Sequence, residues 1–157
     1  MCRWLLILIC TALAGCALRP VERVEIGDVV DCNRRVLIAT QQSEFKETIV
    51  ADITDALKED ACYVRVVDVT ELGSESPQDY SAVIIANTCI AWRLNRTVKG
   101  FLEEVQDRNR VFLITTANGE ECEEPPPGVD AVTAASKTGR PSEIVQEAVE
   151  KVQELLR

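Results

Sequence analysis

The chain has 157 residues, 46% of them hydrophobic and 27% charged, a balance that suits one globular α/β domain and argues against disorder or a fibre. Its formal net charge of −9 repels nucleic acid and anionic lipid head groups, so neither nucleic-acid binding nor a basic membrane patch is expected. Histidine is absent, which excludes histidine-based catalysis and histidine metal ligation.

Arg3 opens the chain with a positive charge, Trp4 to Leu13 form an apolar run, and Leu13-Ala14-Gly15-Cys16 follows. About ten apolar residues are too few to span a bilayer but suit a signal peptide. Small residues ahead of a cysteine resemble the bacterial lipoprotein signal. That resemblance implies cleavage before Cys16, a diacylated amino-terminal cysteine and a membrane-anchored, extracytoplasmic protein of the cell envelope. Ala17, where many Gram-negative lipoproteins retained in the inner membrane carry Asp, implies the outer membrane if the source is Gram-negative. An ordinary secretory signal with an accidental cysteine is the alternative. Residues 1–15 thus read as signal, 16–31 as a lipid-anchored tether and 32–157 as the domain. Loss of Arg3 takes the net charge from −9 to −10, so attachment falls to the lipid alone. Val21, Val24 and Ile26 leave open whether the tether lies along the domain surface.

Cys2 and Cys10 leave with the signal. Beyond Cys16, Cys32, Cys62, Cys89 and Cys122 remain, spaced by 30, 27 and 33 residues with no C-x-x-C. An even number in an oxidising compartment predicts disulfides rather than zinc or thioredoxin-like chemistry.

Val36 to Thr40 is an apolar run that predicts a buried strand. Ser43 is a candidate N-cap for a helix from about Glu44 to Lys58, with Phe45, Ile49, Ile53, Ala56 and Leu57 on one face. Tyr63 to Val69 is the next strand, and Ser81 to Ala86 another, buried on both faces. The polar loop after it carries Trp92 and leads into a helix at about 96–107, built on Val98, Phe101, Leu102 and Val105. Arg110 to Thr115 and Val129 to Ala135 complete five strands, separated by a polar loop with four Glu and three Pro. Pro141 opens a last helix with an apolar stripe from Ile144 to Leu156. Such alternation predicts a parallel sheet with right-handed crossovers.

With these elements placed, residues from about Arg35 to Leu156 resemble a flavodoxin-like domain. The nearest likeness is to the short flavodoxins related to bacterial protoporphyrinogen oxidase. It rests on Tyr80-Ser81-Ala82-Val83-Ile84-Ile85 followed by Arg93, Val98-Lys99 and Phe101-Leu102, and on Val36–Thr40 with its polar loop and amphipathic helix. The resemblance implies a doubly wound five-stranded sheet of order 2-1-3-4-5. It also implies FMN on the loops after strands 1, 3 and 4, here Thr40, Gln41, Gln42 and Ser43, then Thr88 and Trp92, then Asn118 and Gly119.

Departures bear on function. The first loop has no glycine and is followed by Glu44, although close backbone wrapping round a phosphate favours glycine and disfavours a carboxylate. Ala86 and Trp92 stand where the family usually has glycine, and Ile90 where it has an aromatic. The expectation is therefore a non-flavin binding or structural module of the envelope, with an FMN-binding electron-transfer protein as the alternative. No nucleophile–base pair suggests an enzyme.

Two further expectations follow from the implied strand order. One helix, at 96–107, is left to cover one whole sheet face, which predicts exposed apolar side chains there and a protein partner or second copy over them. Cys32 and Cys62 precede neighbouring parallel strands, and Cys89 and Cys122 follow another neighbouring pair. The expected disulfides are Cys32–Cys62 and Cys89–Cys122, against the alternative of four buried thiols.

Overall fold

The computed structural model describes residues 21–30, 32–117, 122–135 and 141–157. In chain order the elements are β1 (Val24–Gly27), β2 (Arg35–Thr40), α1 (Glu44–Leu57), β3 (Tyr63–Asp68), β4 (Ala82–Thr88), α2 (Arg96–Glu104), β5 (Val111–Ala117), β6 (Asp130–Ala135) and α3 (Pro141–Leu155). The sheet order is β1-β3-β2-β4-β5-β6. The strands from β2 to β6 run parallel in the expected 2-1-3-4-5 arrangement, and helices follow β2, β4 and β6 as expected.

Among the described residues the sheet has six strands rather than five, and the extra one comes from the segment read as a tether. β1 pairs antiparallel with β3, Val24 opposite Val66 and Gly27 opposite Tyr63. The physical reason is the edge of β3, whose backbone groups would otherwise face solvent unpaired. Gly27 makes the pairing possible. Its φ is +89°, and a Cβ there would lie 2.0 Å from the Cys62 carbonyl oxygen. Only glycine admits that approach.

Side chains alternate between the two sheet faces. On one, Val36, Ile38, Ile84 and Ile114 pack under α1 and α3 with Ile49, Ile53 and Ala148. On the other, Leu37, Val83, Ile85 and Leu113 meet Val98, Phe101 and Leu102 of α2. This second face is not left bare. The connection after β3 coils into a 3-10 turn, Val69–Ser74, whose Val69 and Leu72 are fully buried beside α2. Asp68 caps that turn by accepting from the Thr70 N–H at 2.9 Å. Glu75 then receives the Arg65 guanidinium and the Tyr80 hydroxyl, the latter at 2.6 Å, and ties the connection to the sheet. The exposed apolar face expected from one short helix is thus absent among the described residues.

Both cysteine pairs sit where the strand order puts them. Cys32–Cys62 closes the amino edge with a Cα separation of 5.8 Å, and Cys89–Cys122 the carboxyl edge with 6.0 Å. No described helix is long and apolar enough to cross a membrane.

Candidate functional site

The carboxyl edge of a doubly wound sheet is where loops from several strands converge. Here β2 ends at the buried Thr40, and the loop Gln41-Gln42-Ser43 turns into α1. Ser43 is the N-cap: extended at φ −166°, it accepts the Lys46 N–H on its Oγ at 3.2 Å and the Glu47 N–H on its carbonyl at 2.8 Å. The Gln41 side chain crosses to the next loop, where its Oε1 accepts the Thr88 N–H at 2.7 Å.

Lys46 completes this bracing. Its place at the third helical position aims the side chain into the gap between α1 and the ends of β4 and β5. There Nζ donates to Thr88 Oγ1 at 2.6 Å and to Thr116 Oγ1 at 3.4 Å. The residue is only 2% exposed, and no carboxylate pairs with it among the described residues. Burial alone pushes the ammonium below the ordinary lysine range. A cleft of about 570 Å³ opens over it, lined by Gln42, Ser43, Phe45, Lys46, Thr88 and Thr116. On the opposite face of β4, Asn87 is wholly buried, and neither its Oδ1 nor its Nδ2 has a hydrogen-bond partner among the described residues.

The loop after β4 is a two-residue hairpin. Ile90 and Arg93 exchange backbone bonds of 3.2 and 3.1 Å, with Ala91 at φ +51° and Trp92 at φ +61° between them. Two consecutive left-handed residues are the geometry of a tight hairpin turn, usually built from Asn and Gly. A bulky residue there is a backbone outlier and is strained. Surrounding bonds hold the turn in place. Cys89 is tied to Cys122, the Cys89 N–H reaches the Thr116 carbonyl at 2.9 Å, and the Glu123 N–H reaches the Trp92 carbonyl at 2.9 Å. The Lys99 ammonium bonds the Glu123 carboxylate at 2.6 Å and holds that carboxyl below its ordinary range. The result is a fixed knob that leaves Ile90 66% and Trp92 64% exposed.

Of the residues read from sequence as a site, Thr40, Gln41, Gln42, Ser43 and Thr88 come together round one edge. Trp92 stands on the neighbouring knob, absent from the cleft lining. Asn118, Gly119 and Cys16 lie outside the described residues. Lys46 and Asn87 were missed. Lys46 had a signal, a lysine at helical spacing from Ile49, Val50 and Ile53 on the buried stripe.

The residues present do not fit an FMN phosphate at α1. The Lys46 amide is taken by the Ser43 hydroxyl, and Glu44 and Glu47 place carboxylates in the first turn. Gln41 and Lys46 bridge this loop and helix to the ends of β4 and β5.

No family model matches the sequence, nor does any curated protein. Solved structures do match. A mutant flavo di-iron protein from Thermotoga maritima is similar at TM-score 0.58 and 14% identity over 79% of this chain, which spans 36% of that longer protein. The two-electron reduced flavodoxin of Megasphaera elsdenii gives TM-score 0.55 and 14% identity, over 76% of this chain and 98% of its own. A flavodoxin from the domain Archaea gives 0.52 and 7%, over 78% and 99%. At these identities the likeness is one of fold: the domain is flavodoxin-like.

Proposed function

We propose that this chain is a lipid-anchored, extracytoplasmic protein of the cell envelope, held by Cys16, whose flavodoxin-like domain works as a non-flavin binding module. The observation that carries the non-flavin reading is the bracing of the carboxyl edge by Gln41 and Lys46, which tie the first loop and helix to the ends of β4 and β5. Glu44 and Glu47 add negative charge at the helix end that would have to hold it. The likeness of Tyr80–Ile85 to the short flavodoxins related to protoporphyrinogen oxidase fits a scaffold of that kind which keeps its sheet without its cofactor loop. The anchor reading is supported by Leu13-Ala14-Gly15-Cys16 and by the oxidising compartment that two disulfides imply.

Purification from membranes in detergent tests the non-flavin reading. A colourless protein whose spectrum and stability are unchanged by added FMN is expected. Visible flavin absorbance, or a rise in melting temperature with FMN, overturns it. Cys16→Ser tests the anchor: the chain should leave the membrane fraction or stay uncleaved, and unchanged processing and attachment sink that reading.

A further inference from the structure

We infer that the Ile90–Arg93 knob rests in the head-group region of the membrane that holds the lipid anchor, so that the carboxyl edge of the sheet faces the bilayer. This rests on the anchor reading above and adds an orientation and a contact to it.

The direction of β1 decides where the anchor emerges. Because β1 is antiparallel to β3, the chain enters the sheet at the carboxyl edge, and the Val21 N–H bonds Asp68 Oδ2 at the end of β3. Cys16 is five residues before Val21. At 3.3–3.6 Å per residue that span reaches at most about 18 Å. A free tether over the fifteen residues that follow Cys16, as expected from sequence, would have reached roughly 50 Å and imposed no orientation. From β1 to β4 there are three strand spacings, about 14 Å at 4.7–4.9 Å each, along the same edge. The knob after β4 therefore lies within the anchor's reach.

The knob has the chemistry of an interfacial contact. Trp92 supplies an amphipathic ring of the kind enriched at head-group depth, and Ile90 an aliphatic side chain beside it. Arg93 and Arg96 are exposed next to them, and guanidinium groups suit phosphate oxygens. Glu123, whose N–H bonds the Trp92 carbonyl, is paired through its carboxylate with Lys99, and Glu124 is exposed beside it. Glu22, Glu44 and Glu47 also stand towards this edge, away from the knob, and oppose flat docking on an anionic surface. The contact is thus local. Val29 and Val30, also exposed, belong to the amino edge and face away. The knob's turn is already fixed, so contact requires little new ordering.

The mature chain carries its own probe. Trp4 leaves with the signal, and Trp92 is the only other tryptophan. Full-length processed protein is reconstituted in phosphatidylcholine–phosphatidylglycerol vesicles with and without brominated acyl chains. Trp92 emission should fall by at least about half with bromine, and Arg93→Glu should restore most of it. Protein that floats with the vesicles while its emission ignores bromine overturns the inference and leaves the anchor standing. Floating, unquenched protein that crosslinks as a dimer through the knob seats a second copy there and overturns it equally. Protein that does not float overturns both readings.

Discussion

Lys46→Met tests the electrostatic reading of the cleft. The ammonium is buried beside two neutral hydroxyls with no carboxylate among the described residues, and burial lowers its pKa from the ordinary 10.5. Desolvation of a buried ion typically costs several kcal/mol, whereas hydrogen bonds to a charged group return about 1.5–3 kcal/mol each, less at 3.4 Å. Met keeps the length of the stem and the helix propensity. Thr116 keeps its bond to the Asn87 carbonyl, and Thr88 stays beside the open cleft. The variant should gain roughly 1–2 kcal/mol at neutral pH, a rise in melting temperature of about 2–8 °C for a domain of this size. The sign with pH follows from proton binding. Between the lowered folded pKa and 10.5 the unfolded chain binds more protons, so wild-type stability from this group rises with pH across that window. The variant's advantage is therefore full below the folded pKa and shrinks towards and beyond 10.5. Tyr80, raised by burial and by its bond to Glu75, acts in the opposite sense at alkaline pH but cancels in the difference. Urea midpoints of both proteins, measured from neutral to alkaline pH, give that difference directly. A variant less stable at neutral pH, with a gap that does not change with pH, refutes the argument.

Asn87→Val replaces a buried amide with no partner among the described residues by a β-branched residue on a strand, and should raise stability by about 1–2 kcal/mol in chemical denaturation. A loss would mean that the amide is satisfied by a bound water or ligand. Ala91→Gly removes one left-handed alanine from the knob; with about 1–2 kcal/mol of strain relieved against 0.5–1 for glycine's entropy, a gain of about 0.5–1 kcal/mol is expected, and a lower urea midpoint refutes it. The double change Cys89→Ser and Cys122→Ser opens a 33-residue loop and should cost roughly 3–4 kcal/mol in the chain-entropy view, so a midpoint shift worth under about 1 kcal/mol contradicts it.

The legible part of this fold is the part written in long apolar runs. β2, β4 and β5 are buried on both faces, and their residues admit no other placement. Strand order then put each cysteine at a sheet edge, so the pairing was readable once the order was implied. What escaped is decided by tertiary context. β1 is four residues long, mostly exposed, and owes its existence to the open edge of β3. Gly27 looks in the sequence like a break, whereas in the sheet it is the condition for pairing, because Cys62 comes too close for any side chain. Val69 and Leu72 cover a sheet face from a 3-10 turn too short to show a helical period.

The site was less legible because its residues break local rules. Charge statistics put lysine on solvated faces, yet Lys46 sits on the buried stripe of α1, where two threonines from different strands receive it. Those threonines are 42 and 70 residues away, a separation that no motif spans. Ala91-Trp92 carries none of the Asn-Gly chemistry that marks a tight hairpin turn, so the knob is invisible to turn rules. A strained turn persists only where its surroundings over-determine it, here through Cys122, Thr116 and Glu123. Local rules fail most often where function sets the geometry. On that ground the knob and the Lys46 cleft, rather than the conventional strands between them, are where substitutions should separate binding from folding.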